Sequence, residues 1–328
     1  MILKHHYLLI GSLLALTSAA MLFSLLSGSA QISIDQIMSH FASPETGLTG
    51  QILDQIRIPR TLAAFSVGSL LAMSGVAMQV LLRNPLADPY ILGVSGGAAV
   101  GALSAILLGA SSFLLVSLAF AGALGSTLIV FGISNPFNNQ SMTRLLLTGV
   151  VVSAGWGAVI NLILTTSTSN TVQSMLFWLM GDLSQSTVSL GHFILIALGL
   201  VGGIGIAKSL NVLSRGDLVA VSLGVNVNLL RIFLYFSASI FTAVAVTIGG
   251  SVGFVGLVTP HILRMLGARD HRVLIPASAL LGGSIVLIAD TLARTILAPQ
   301  QLPVGVFTAI IGVPCFLFIM NSNGKKFS

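Results

Sequence analysis

The sequence predicts an all-α, polytopic integral membrane protein of about ten transmembrane helices with both termini on the cytoplasmic side. Three observations predict it. Of the 328 residues, 55% are hydrophobic and 7% charged, against about 25% charged in soluble domains. Several apolar runs reach the roughly 20 residues that a helix needs to cross the hydrocarbon core. The cations also sort by side: Lys4, Arg83, Arg144, Lys208, Arg215, Arg231, Arg264, Arg269, Arg272, Lys325 and Lys326 fall together, with only Arg57, Arg60 and Arg294 opposite. Positive residues concentrate on cytoplasmic loops, so the majority side is the inner one. The net charge of +6 and pI near 10.1 then belong to membrane topology rather than to nucleic acid, and no nucleic-acid partner is expected. The whole chain, 1–328, is expected to form one transmembrane domain in the lipid bilayer.

The expected spans are 7–27, 61–82, 90–109, 113–133, 144–166, 191–208, 229–249, 252–267, 273–293 and 303–320. The first resembles a secretory signal, with Lys4, His5 and His6 ahead of it and Gly28-Ser29-Ala30 behind. Its apolar core of about 20 residues exceeds the 7–15 of a signal peptide, so it is expected to remain as a span. Beyond it, Ser33 and Gln36 have capping-box spacing, and Ile34, Ile37, Met38 and Phe41 recur at helical intervals, which predicts a short amphipathic helix on the outer surface. Two prolines in Arg83-Asn84-Pro85-Leu86-Ala87-Asp88-Pro89 forbid a continuous helix between the second and third spans, and Asp88 is placed to cap the third.

Small residues recur every fourth position at Gly93, Gly97 and Gly101, and again at Gly149, Ser153, Gly157 and Asn161. Lipid tails give helices no hydrophobic reason to associate, so such faces mark close backbone approach. The second stripe is assigned to a translocation path or a dimer interface, with Asn161 either lining a polar pathway or bonding a neighbouring helix. Thr171 to Met180 predicts a second surface helix whose Met175, Phe177 and Trp178 suit packing at the interface. Thr259-Pro260-His261 interrupts the short eighth span. Cys315 stands alone, which excludes an intrachain disulfide or a cysteine metal site.

The longest polar interruption between inner-side runs is Lys208 to Arg231, residues 208–231. Ser214 or Asp217 can cap a short helix starting at Leu218, Gly224 can close it in a left-handed conformation, and Asn226 can cap the next helix. A connector needs no such punctuation, so the stretch predicts a protruding helical knob that docks into something.

The chemistry is mostly absence. No G-x-x-x-x-G-K-[ST] occurs, so the chain has no P-loop with which to hydrolyse ATP. Asp290 is the only carboxylate inside an expected span, fewer than ion-coupled transport on broken helices would need. Gly93-Val94-Ser95-Gly96-Gly97 satisfies G-x-S-x-G, with His261 as the one plausible base, which sets up an intramembrane serine protease as the competing class. The strand-to-turn context of a nucleophile elbow is missing, so no catalytic residue is assigned. The histidines show no ligand spacing, and neither a metal nor a cofactor bound by this chain is expected.

Gly75, Met78 and Gln79, then RNPLADPYILGVSGGA from Arg83, GFVGLVTPHILRMLG from Gly253 to Gly267, Asp270-His271-Arg272, and LPVGVFTAIIGVP from Leu302 to Pro314 together resemble the FecCD-type permeases of vitamin B12, iron-siderophore and haem ABC importers. The resemblance covers nearly the whole chain. It implies a ten-helix subunit of the bacterial inner membrane that pairs with a second permease as a dimer, most simply a copy of itself. It also implies two separate ATP-binding subunits and a periplasmic substrate-binding protein. The implied cargo is an iron chelate, siderophore or haem, with cobalamin as the alternative. By resemblance the 208–231 stretch is the element coupled to the ATPase, through Arg215, Asp217, Leu218, Ala220 and Gly224. Arg57, Arg60 and Arg294 would then dock the binding protein, a role that weakens if Asp290, four residues before Arg294, holds its guanidinium.

Overall fold

The structure, a computed structural model, describes residues 2–28, 30–42, 47–134, 141–184, 186 and 188–324. Lys325 and Lys326, counted above with the inner cations, and Ser29 of the signal-like stretch lie outside them. Among the described residues every regular element is a helix. The chain runs through α1 (Ile2–Leu26), α2 (Ile34–Ala42) and α3 (Leu48–Ile52), which continues through a π-helical turn, Leu53–Arg57, into α4 (Ile58–Leu81). A 3₁₀ turn, Pro89–Leu92, leads to α5 (Val94–Leu107), then α6 (Ser112–Ser134), α7 (Ser141–Thr166), α8 (Ser169–Leu179) and α9 (Leu190–Gly205). The rest is α10 (Ala207–Leu213), α11 (Asp217–Ser222), α12 (Val227–Gly249), α13 (Val255–Met265), α14 (His271–Thr295) and α15 (Val304–Gly324).

Every expected span overlaps a helix, yet among the described residues six helical stretches are long and apolar enough to cross a membrane, or seven if α9 and α10, bent by 61°, count as one. Helices α5 and α13, with 14 and 11 residues, fall short. The reason lies at mid-depth. Gly249 ends α12 beside Val67, nine residues into α4, where a methyl added to the glycine would stand 3.1 Å from the valine side chain. Residues 250–254 therefore turn inside the protein, and α13 begins there. Three other breaks in helix meet this one. The Tyr90 hydroxyl donates to the Val252 carbonyl (3.0 Å) and accepts from the Val252 amide (3.1 Å). The amides of Val304 and Gly305 donate to the carbonyls of Gly181 (2.9 Å) and Met180 (3.0 Å). Irregular backbone at membrane depth is tolerated only when protein or trapped water satisfies it, and here the chain satisfies itself.

Helix α4 is the axis. Nearly all of it is buried, with α12, α13 and α14 packed around it. Its small residues permit this: a methyl on Gly68 would stand 2.1 Å from the Gly282 carbonyl oxygen of α14, and one on Gly75 1.9 Å from that of Gly256 on α13. Hydroxyls complete the contacts, Ser69 donating to Ala279 O and Ser74 to Ala238 O, each at 2.8 Å. The Gly97 and Gly101 face packs as its sequence predicts, against the backbone of Gly122 and Leu118 on α6. Asp88, expected to cap the third span, instead accepts from Tyr90 N at 2.8 Å and caps the 3₁₀ turn; left-handed Gly93 (φ +73°) then restarts the chain as α5. The capping box of α2 forms as read, Ser33 N to Gln36 Oε1 at 2.9 Å and Gln36 N to Ser33 Oγ at 3.3 Å. Met175 of α8 is fully buried, as expected of packing.

Gly75→Ala drives a methyl into backbone, and overpacking of this kind costs about 1–3 kcal/mol. The thermal unfolding midpoint in detergent is expected to fall, while Gly202→Ala, whose methyl meets nothing within 4 Å, leaves it unchanged or slightly raised. Equal midpoints for the two variants would remove α4 as the axis of packing.

Candidate functional site

The knob forms where the sequence places it, with different punctuation at its start. Gly216, at φ +122°, occupies the cap position of α11 and Asp217 is its first residue. Ser214 donates back to Leu210 O at 2.8 Å, so neither Ser214 nor Asp217 caps the helix. A side-chain cap is dispensable where a glycine can turn the chain at positive φ. The other end follows the reading. Gly224 sits at φ +78°, with Val225 N on Ala220 O (2.9 Å) and Gly224 N on Val221 O (3.0 Å), the paired bonds of a Schellman ending. Asn226 Oδ1 then accepts from Leu229 N at 3.1 Å and starts α12.

This short helix turns its apolar residues outward. Ala220 is fully buried beneath it, while Leu218 is 89% exposed and Val221 and Leu223 are above 60%. Arg215 is exposed beside them. Asp217 does the tying: its Oδ2 accepts from Arg231 of α12 at 2.7 Å and from Arg83 of the loop after α4. Partly exposed pairs of this sort contribute about 0–1 kcal/mol each, so their role is to set the angle of the knob. In the same loop burial raises the Asp88 carboxyl to about 6 against the opposing pull of the Tyr90 amide.

Arg57, Arg60 and Arg294 gather at the other end of the bundle. Arg57 and Arg60 are buried and Arg294 is partly buried. Arg57 donates to the carbonyls of Leu25 (2.5 Å), Leu26 (3.0 Å) and Ala30. Arg294 donates to Ser27 O and Ser24 Oγ, each at 2.9 Å, and to Ser24 O. The last turn of a helix leaves four carbonyls without partners, and these two guanidiniums supply donors to the end of α1. Arg60 grips Asp290 with three bonds of 2.9–3.0 Å and reaches Gln301 Oε1 at 2.7 Å. Asp290 therefore hydrogen-bonds Arg60 and stands in a longer ion pair with Arg294, whose Nε lies 3.7 Å away. Most of their donors are engaged inside the chain, while Arg294 Nε makes no hydrogen bond. Gln301 and Ser24 were not legible as members of the cluster, since neither lies on a charged motif.

The α7 stripe divides. Gly149 is buried, and a methyl there would stand 2.3 Å from the Ile91 carbonyl oxygen; Ser153 donates to Gly149 O at 2.7 Å. Within the chain those two contact the 3₁₀ turn and the helix itself. Gly157 faces open space and Asn161 is exposed. Ser95 donates to Ser251 Oγ at 3.2 Å rather than to an imidazole, which leaves the protease reading without its base. Among the described residues no three His, Cys, Asp or Glu side chains gather as metal ligands.

A helical bundle with helix breaks at its centre and an apolar knob at one end has the form of a multi-pass membrane protein. The chain matches the FecCD transport family over residues 16–322, and it belongs to that family of ABC importer permeases of the cell membrane. It is 40% identical over 296 residues to the cobalamin import permease BtuC of Halobacterium salinarum (86% of this chain, 76% of the relative). It is also 40% identical over 279 residues to the vitamin B12 import permease BtuC of Shigella sonnei (83% and 84%), and 40% identical over 277 residues to the ABC transporter permease YvrB of Bacillus subtilis (82% and 78%). Among solved structures, an inward-facing metal-chelate type ABC transporter superposes with a TM-score of 0.85 at 32% identity, over 95% of this chain and 98% of that one. PsaBC from Streptococcus pneumoniae shares the fold, with a TM-score of 0.57 at 18% identity, over 86% of this chain and 95% of that one.

Removing one partner of a buried ion pair strands the other and costs about 3–5 kcal/mol, whereas replacing both by apolar groups is often close to neutral. Asp290→Leu is therefore expected to lower the unfolding midpoint sharply and Arg60→Met/Asp290→Leu much less. A double variant as unstable as the single one contradicts the pairing.

Proposed function

We propose that this chain forms the membrane path of an importer whose two ATP-binding subunits dock on α11 from the cytoplasm. A periplasmic binding protein delivers cargo at the arginine end, and a second copy of the chain pairs through the open half of α7, at Gly157 and Asn161. The observation that carries the reading is the knob. A capped helix that holds Leu218, Val221 and Leu223 out of the bundle while Asp217 fixes it to two elements has the form of a part made to enter a groove on another protein. Arg215 beside it and Gly224 behind it complete that surface.

The arginine cluster acts in a different way from the direct contact first expected. Arg57, Arg60 and Arg294 against one carboxylate, Asp290, leave two net positive charges close under Ser27 and Ala30. A fixed field of that sign attracts acidic lobes and raises their encounter rate without a salt bridge.

For the cargo, the relatives named as cobalamin and vitamin B12 permeases support cobalamin ahead of the iron siderophore or haem that the resemblance alone favoured. The iron-chelate reading keeps one support, the likeness to a metal-chelate type transporter. Cells lacking their own uptake systems and supplied with this permease and its partner subunits are expected to accumulate labelled cobalamin. Accumulation of a ferric siderophore or haem and no cobalamin reverses the order. Replacing residues 217–224 by a Gly/Ser segment is expected to abolish co-purification of the ATP-binding subunit. Its retention at the wild-type ratio, with uptake intact, removes the coupling assignment.

A further inference from the structure

Three residues at the inner end of α14 do work that the importer reading has not absorbed. Asn211, in the middle of α10, donates from Nδ2 to Asp270 Oδ1 at 2.9 Å. Its Oδ1 accepts from the His271 backbone amide at 3.0 Å and faces His271 Nδ1 at 2.6 Å. A carboxylate only accepts, so the amide nitrogen must point at Asp270; the oxygen then faces the ring, whose Nδ1 must carry the proton. Asp270 Oδ1 also accepts from Arg272 N at 2.9 Å as the cap of α14. One side chain of α10 is thus keyed into the first turn of α14.

The apolar residues of α10, Ala207, Leu210 and Leu213, are buried in the bundle. The chain bends by 61° between α9 and α10, and behind the bend lies an apolar crevice of about 240 Å³ between α9 and the bodies of α12 and α14, bordered by Gly199, Gly202, Leu210, Phe241 and Ile275. The directional side-chain bonds of α10 run to α14, so a displacement of α10 bears on that helix first. Helix α14 then runs unbroken from His271 to Asp290, roughly 28 Å at 1.5 Å per residue, and ends in the grip of Arg60. Its contact with α4 is close and fixed: Gly68 meets Gly282 backbone to backbone, Phe65 of α4 lies over Gly283, and Ser69 donates to Ala279 O at 2.8 Å, so the two helices are held in register.

We propose that Asn211, Asp270 and His271 form a joint that passes displacement of the knob to α14, and through α14 to the arginine and aspartate cluster at the far end. They are positioning residues, and the proposal rests on α11 being the element driven by the ATPase. The chemical class of the joint is a neutral amide shared between a capping carboxylate and a neutral imidazole.

The test uses the full transporter, with its ATP-binding subunits and binding protein, in proteoliposomes, and reads cargo moved per ATP hydrolysed. Asn211→Asp removes the donor and sets like charges face to face. It is expected to lower the ratio by about tenfold, within the range of coupling between residues in contact, while the ATP-binding subunit still co-purifies at the wild-type ratio. The exchange N211D/D270N swaps carboxylate and amide: the amide now at 270 donates to the carboxylate now at 211 and His271 keeps its acceptor, at the expense of the bond from Arg272 N that Asp270 Oδ1 also accepts, and it is expected to recover part of the loss. A wild-type ratio in Asn211→Asp overturns the joint, as does an exchange variant no better than the single one. Failure of both to assemble also overturns it, in favour of static packing; assembly and transport by the exchange variant alone supports it. An error in the knob assignment shows separately, as an ATP-binding subunit that stays bound when residues 217–224 are replaced.

Discussion

Hydrocarbon offers no hydrogen bond to a peptide group, and most of what is distinctive in this permease follows from that constraint. Helices meet it along their length and fail at their ends, where four carbonyls or four amides go without partners. This chain puts several ends inside itself. Helix α12 stops at Gly249, and α5, α13 and α15 start at related depth; the Tyr90 hydroxyl, Met180 O and Gly181 O supply what those ends lack. At the end of α1 the missing donors are the guanidiniums of Arg57 and Arg294. Such breaks can meet only because the glycines of α4 bring its neighbours to backbone contact.

The same low dielectric governs the few charges. The chain has eight acidic residues, and three of them, Asp217, Asp270 and Asp290, join elements that are distant in sequence. A buried pair adds little net stability because both ions must leave water, but it is costly to break and so fixes geometry. Arg60–Asp290 is such a pair and holds α14 on α4, while the partly exposed bonds of Asp217 and Asp270 orient the knob on its base and α10 on α14. Stability comes instead from close packing of small faces, which gains dispersion and asks nothing of the lipid.

Much of this was legible in the chain. Composition and run length gave a helical membrane protein; Gly224 and Asn226 gave the outline of the knob, because positive φ and side-chain capping are local properties of single residues. What stayed hidden depends on contacts across the fold. The shortness of α5 and α13 comes from starting at mid-depth, which no hydropathy window registers. Arginines at the mouth of a span look alike whether they face water or cap a neighbouring helix, so Arg57 and Arg294 were read as free. Gly149 and Gly157 share one stripe and differ only in what lies opposite, Ile91 for one and open space for the other. Asn211 belongs to no motif, and its role is set by Asp270, 59 residues away.

The knob is connected to two helices of unequal reach, which bears on how one stroke can act at two depths. Helix α12 is continuous with it past the Asn226 cap and ends at Gly249, beside the central break at 250–254. Helix α14 is tied to it through α10 and ends at the arginine cluster. A shift carried along both would disturb the middle of the membrane and its far side together, while α9, beyond its 61° bend, takes up the slack. Alternating access asks for that combination, since one gate must close as the other opens, and rigid elements held by a few directional bonds switch between discrete arrangements rather than deform continuously. The charged contacts are few and directional, and the remaining helix faces are closed by small-residue packing and single hydroxyl bonds.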